Sequence, residues 1–284
     1  MSNATPAAAA AGQAGRPPSP PRTEAAWRRR ARGEMAVLLS RLALVLLLLV
    51  IWEVAARMGW VNRHFASQPT DIVVALGELL RSAELWSDVV ATTAATLIGF
   101  LGGTAVGVLA GLIVGSSNFV DRGTSPLVAV ANGMPRIALA PLFVLWFGLS
   151  IWAKVALSLS LVVFILFYNT KGALGTVNRD HIVVSRMLDM GAWEKFRTIL
   201  LPTCLPAIMA GMRIGIVLGL LGVIASEMIA SSNGLGQMIV EASATFQIDR
   251  LMALILLVSV LAVIMNACVD LLERRVIWWR KDSK

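Results

Sequence analysis

Two ionisable side chains, Arg136 and Glu227, lie deep inside apolar stretches of this 284-residue chain. An ionisable group in apolar surroundings is costly unless it is paired or wetted. Three readings of Arg136 follow. It pairs with Glu227 and stitches two segments together, it lines a water-filled path and favours an anion, or it sits at the broken end of a helix beside Pro135 and Pro141. Asn132 and Ser231 complete the candidate path group with Arg136 and Glu227. Other chemistry finds little support. Cys204 and Cys268 are far apart with no metal-type spacing, and the histidines number two, His64 and His181. No nucleophile–base pair stands out, no Gly-rich loop ends in Gly-Lys-Ser/Thr, and neither cofactor nor metal is expected.

The elements that position these groups are set by hydropathy. The chain is 57% hydrophobic and 15% charged, where a soluble domain carries roughly a quarter charged residues. No charged residue occurs from Val89 to Val120 or from Leu251 to Val269. A bilayer core takes about 20 apolar residues per helix, so the blocks predict six spans, at 35–56, 88–115, 124–148, 152–171, 207–230 and 250–272. The expected class is an all-α membrane protein divided into a disordered basic tail (1–33), a first span with the segment after it (34–87), a bundle (88–272) and a second basic tail (273–284). A signal peptide is the competing reading of the first block, but the apolar run continues from Leu42 through Val54 and predicts an uncleaved span. In the segment after it, Asp71 to Leu80 has an amphipathic pattern. Glu53 is read as an interface residue at the end of the first span, and Asn169 and Lys171 as snorkelling at the end of the fourth.

The net charge of +8 points to topology rather than nucleic acid, because the basic residues cluster at the ends of the apolar blocks. With the N-terminal tail inside, 19 of the 25 Lys and Arg residues fall on the cytoplasmic side, which predicts that both termini are cytoplasmic. Two spans also carry small-residue stripes, Gly99-Gly103-Gly107-Gly111-Gly115 and Ala207-Gly211-Gly215-Gly219. A spacing of four keeps each stripe on one helix face, where backbones can approach closely.

The connection 172–206 alternates apolar and charged residues. Its pattern predicts two short amphipathic helices joined near Asp189 to Gly191, with Pro202 ending the second. By pattern alone such a segment lies on a membrane surface or docks a protein. It resembles the "EAA" loop of type I importer permeases of the ATP-binding-cassette superfamily, Glu-Ala-Ala, three residues, Gly, nine residues, Ile, one residue, Leu-Pro. Ile199, Leu201 and Pro202 hold the final positions, Asp189 holds the Gly slot, and Val183, Val184 and Ser185 replace Glu-Ala-Ala. Asp189 can take the left-handed backbone of a Gly slot, and Gly191 is the alternative bend. WEVAARMGWVN from Trp52, PRIALAPLFVLWFGLS from Pro135 and SEMIASSNGLGQMI from Ser226 are similar to the branch serving sulfonates, taurine and nitrate.

That resemblance implies the type I importer permease fold in a bacterial inner membrane, moving a small solute such as a sulfonate, nitrate or carboxylate. It implies two cytoplasmic ATPase subunits, a periplasmic solute-binding protein, a second permease chain as a homodimer, and surrounding lipid. It assigns the ATPase-coupling surface to Val183, Ser185, Met187, Leu188, Asp189, Gly191, Trp193 and Lys195. The rival class is a self-contained secondary transporter, which needs its own coupling-ion site and internal repeats. Cysteine labelling after Arg30 and near Lys281 is expected to report the cytoplasmic side at both places. An outside signal at either one overturns the orientation.

Overall fold

The computed structural model describes residues 24–60, 67–177 and 179–278, and every element among them is helical. The chain divides into two units, 1–55 and 56–284. The described residues of the first belong to helix α1 (Glu24–Arg57), which contains a span-length apolar stretch, Leu39–Arg57. The helix starts ten residues before the expected end of the disordered tail. Glu24 to Glu34 reads EAAWRRRARGE, and Ala, Arg and Glu are strong helix formers. The rest of that tail (1–23) and the end of the second one (279–284) lie outside the described residues.

The second unit is a helical bundle in which α6 (Ile151–Gly175) lies between two neighbours. On one side of it runs α3 (Ala83–Gly115), and on the other α9 (Leu201–Ile229). The glycine stripe of α3 faces α6. A Cβ on Gly103 would sit 2.7 Å from the Val162 Cβ, and one on Gly111 would sit 2.8 Å from both the Phe167 carbonyl oxygen and the Thr170 Cβ. The α9 stripe meets α6 from the other side, with a Gly219 Cβ falling 2.9 Å from the Ser158 Oγ, and Gly222 beyond the stripe adds a contact, its Cβ falling 2.7 Å from Leu161. Val162, Leu166, Ile216 and Leu220 fill the space between the stripes with Phe100. Ser82 and Ser150 cap α3 and α6 by accepting from the Leu85 and Trp152 N–H groups, so both begin at defined residues.

Around this trio pack α11 (Ile248–Val276), the amphipathic α2 (Pro69–Arg81) in the place expected for it, and the short helix α10 (Leu235–Ala244). α10 buries Leu235, Met238, Ile239 and Ala242 between α9 and α11. At ten residues it is too short to register as a hydropathy block. The third expected span is not one straight helix. It is α4 (Asn118–Gly133), a 3-10 turn (Arg136–Leu139) and α5 (Ala140–Phe147), with the two helical parts bent by 79°. Proline at 135 and at 141 explains the break, since each lacks an N–H and disfavours helix in the residue before it. Lys171 is anchored rather than snorkelling. It forms an ion pair with Asp121 and donates to the Ser125 Oγ at 2.9 Å, tying α6 to α4.

Helical backbone also runs from Trp193 to Ile229 without interruption. Pro202 therefore ends nothing and occupies the first turn of α9. The π turn Phe196–Leu200 precedes it. A proline ring collides with the carbonyl four residues earlier in a regular α-helix, and the wider turn removes that collision.

The glycine clasp predicts a steep contrast between two helical glycines. Gly107→Val, aimed at the α6 backbone, should lower thermal stability in detergent by about 1–3 kcal/mol or more, whereas Gly123→Ala enters open space and should not. Equal melting of the two variants would remove the clasp as the organising contact.

Candidate functional site

Three polar features interrupt the apolar bundle. The first joins α3, α6 and α9 at the end where α6 begins. Glu227 on α9 is 1% exposed and Lys154 on α6 is 3% exposed. The Lys154 Nζ lies 3.1 Å from the Glu227 Oε1 and donates to the Asn233 carbonyl at 2.6 Å and its Oδ1 at 2.8 Å. The Thr92 hydroxyl donates to the carboxylate at 3.0 Å and accepts from the Leu235 N–H. The Gly236 N–H donates to Oε2 at 2.9 Å, and the Gly234 N–H donates to the Asp88 Oδ1 at 2.9 Å. All three ammonium protons are thereby used. A buried ion pair is tolerated only when its remaining donors and acceptors are filled like this. Glycine is required at 234 on two counts, because its φ is +116° and an added Cβ would run into the Glu227 carboxylate.

This geometry corrects the sequence reading. Glu227 pairs with Lys154 and not with Arg136, and its side chain is sealed from any open path. Ser231 is half-buried and belongs to the turn leading into α10, where its hydroxyl donates to the Asn233 carbonyl at 2.6 Å. Sequence reasoning missed Lys154, Thr92, Asp88 and Asn233. The available signals were an Asp at the edge of the charge-free block and a Lys at the third position of the expected span 152–171. Neither names a partner.

The second feature is the break between α4 and α5. Arg136 opens the 3-10 turn there, in the place that the broken-helix reading assigns to it. Its Nη2 donates to the Asn132 Oδ1 at 2.8 Å, and its guanidinium lies 3.8 Å from the centre of the Phe164 ring, a cation–π contact. Asn132, Gly133, Met134 and Pro135 are exposed. Among the described residues no carboxylate forms an ion pair with Arg136, and no cluster of metal ligands occurs.

The third feature is the connection at the opposite end of α6. Helix α7 (Arg179–Met187) closes on Asp189, whose φ is +51°, while the Met190 N–H donates to the Ser185 carbonyl at 3.0 Å. A left-handed residue followed by this six-to-one bond is a Schellman cap. The bend falls on Asp189 itself and not on Gly191. Helix α8 (Ala192–Lys195) then leads into the π turn, with Trp193 stacked on Phe196 at 5.7 Å. Val183, Met187, Leu188 and Trp193 are exposed, Ser185 is buried and Lys195 is half-buried. Leu188, Ile199 and Pro202 help to line a groove of about 550 Å³.

The polar network predicts an asymmetry between single and double variants. Lys154→Met strands the Glu227 charge and should cost about 3–5 kcal/mol of stability. Lys154→Met/Glu227→Leu should recover a large part of that loss, whereas Arg136→Leu/Glu227→Leu should not improve on Glu227→Leu. Thermal unfolding of the detergent-solubilised protein reads the difference. Rescue by the Arg136 change instead would refute the pairing.

Residues 103–278 match the family described as binding-protein-dependent transport system inner membrane component. The Bacillus subtilis protein named as an aliphatic sulfonates transport permease is 29% identical over 85% of this chain and 87% of its own length. The formylaminopyrimidine transport permease protein of Halalkalibacterium halodurans is 32% identical over 84% and 94%. In fold, the chain is similar to a subunit of the MetNI methionine ABC transporter in inward-facing form, with a TM-score of 0.61 at 18% identity over 68% of this chain and 95% of that one. The chain therefore belongs to the binding-protein-dependent transport system inner membrane component family and is a multi-pass permease subunit of an ATP-binding-cassette importer, in which ATP hydrolysis resides in separate subunits.

Proposed function

We propose that the chain works as one half of a homodimeric permease in a bacterial inner membrane, with both termini and the 179–200 connection on the cytoplasmic side. Two ATPase subunits dock on that connection. A periplasmic binding protein delivers the solute at the opposite end, where α2 and the Ser231–Gly234 turn lie. The division into basic tails at 1–33 and 273–284, a first span and its following segment (34–87) and a permease domain (88–272) belongs to the same proposal. The distribution of Lys and Arg supports this orientation. The family assignment supports the ATPase and binding-protein partners, and it answers the secondary-transporter reading.

One observation carries the docking assignment. Met187, Leu188 and Trp193 are bulky apolar side chains between 68% and 80% exposed. All three stand around a turn that the Schellman cap holds in shape. Apolar anchors on a preshaped connection fit a protein partner better than lipid. Val183, Ser185, Asp189, Gly191 and Lys195 form the rest of the proposed coupling surface. The contact transmits movement because the helix beyond it is continuous into α9. Arg213 of α9 grips Asp270 and Glu273 of α11, each at 2.7 Å. The proposed path for the solute runs past Arg136 and Asn132 at the broken span, while Glu227 serves the packing of the opposite end.

The test is co-purification of the ATPase with Leu188→Asp and with Trp193→Ala. Each should lower ATPase affinity by about 1–4 kcal/mol, roughly five- to a thousandfold. Because Val183 stands in the family's Glu slot, the loss should depend only weakly on salt. Full ATPase recovery in both variants with transport intact would return the connection to the membrane surface.

A further inference from the structure

We propose that the cleft between α2 and the start of α11 is a headgroup site for a phospholipid that carries a primary amine, with Glu78 and Asp249 taking the ammonium and Arg250 the phosphate. The inference goes beyond the transport reading and holds whichever face of the membrane this end meets. Its first support is the cleft itself. It holds about 290 Å³ and is lined by Glu78, Leu79 and Ser82 on one side and by Gln247, Asp249 and Arg250 on the other. That volume is at the small end of ligand sites. Two carboxylates and a guanidinium line it, yet none of the three forms an ion pair among the described residues. Glu78 and Asp249 are exposed, and the half-buried Arg250 keeps its Nε buried without an acceptor. Unmatched charges of both signs in one cleft fit a ligand that is itself a zwitterion. An ammonium donates to the carboxylates, and the guanidinium fork takes the paired oxygens of a phosphodiester.

The second support is the level of the cleft. Asp249 and Arg250 directly precede the charge-free stretch 251–269 of α11, and Ser82 stands about two turns before Val89, where the charge-free stretch of α3 begins. The cleft therefore lies at the rim of the hydrocarbon, where headgroups are. Its flanks are apolar and aromatic. Val73 and Val74 are exposed on α2, and so is Trp86, whose indole N–H donates to the Leu80 carbonyl at 3.1 Å. Phe246, one residue from the cleft lining, is 78% exposed with a φ of +56°. It closes α10 with a left-handed cap, in which the Gln247 N–H donates to the Ala242 carbonyl at 2.9 Å. That backbone is unfavourable for a bulky residue, and here it keeps an apolar ring out of the fold. Aromatic rings at this level belong to the bilayer interface, which favours a lipid over a soluble protein as the occupant.

The test is native mass spectrometry of the full chain with its ATPase subunits, mixed with phosphatidylethanolamine, phosphatidylcholine or phosphatidylglycerol of the same acyl chains. Phosphatidylethanolamine should be retained at least about tenfold better than phosphatidylglycerol, which has no cation, and better than phosphatidylcholine, whose trimethylated nitrogen cannot donate. Glu78→Gln/Asp249→Asn should abolish that preference. Arg250→Gln should weaken retention of all three lipids, since each carries the phosphate. Equal retention of the three, or a preference unchanged in Glu78→Gln/Asp249→Asn, overturns the proposal. Soluble glycerophosphoethanolamine bound as tightly as the lipid overturns the lipid assignment in favour of a free zwitterion. Loss of binding-protein affinity in the double variant with lipid retention unchanged overturns it in favour of a protein contact. Should the double variant fail to assemble, carbodiimide coupling of the unaltered complex in phosphatidylethanolamine decides the question. An amide between the lipid amine and Glu78 or Asp249, read by peptide mass, supports the site, and its absence overturns it.

Discussion

The close approach of α3 and α9 to the two sides of α6 is the constraint on which the rest of the bundle depends. Inside a bilayer the lipid tails are as apolar as leucine, so burying leucines gains little and dispersion contacts between backbones must do more of the work. Glycines facing α6 from both neighbours allow those contacts. A Cβ at Gly103 or Gly219 would push a helix outward and open the layer in which Val162 and Leu166 are buried.

That closeness also makes the Lys154–Glu227 pair workable. A dry ion pair is stabilising only if its geometry is complete, and completion here draws on three helices and the turn that enters α10. Thr92, the Asn233 carbonyl and the Gly236 N–H reach the pair because the helices bearing them are already in contact. The closed network contrasts with Arg136. One buried cation is neutralised in every direction, while the other is steadied by a ring and an amide and keeps its charge available. The chain thus holds both a structural charge and an open one inside its spans.

At the other end of α6 the same economy of special backbone positions recurs. Asp189 carries the left-handed cap at a slight steric cost that glycine would avoid, and its short polar side chain makes that conformation accessible. The π turn before Pro202 keeps the helix continuous where a proline would otherwise break it. The exposed connection is thereby joined to α9 through unbroken helix, and Arg213 extends the link to α11.

Hydropathy and spacing were sufficient for the class, five of the six expected spans as single apolar helices, the glycine stripes and the resemblance in the 183–202 connection. These are properties of one helix or one local pattern, and the bilayer imposes them on each segment separately. The bend near Asp189 to Gly191 was legible too, but the choice of Asp189 over Gly191 came from the structure. Only the tertiary structure decided which charges meet. Glu227 is 73 residues from Lys154 and 135 from Thr92, and no periodicity links partners on different helices. Sequence could place Arg136 and Glu227 at membrane depth, but not the rotation of each helix about its axis. Packing against glycine sets that rotation, and with it the choice between a paired charge and an open one.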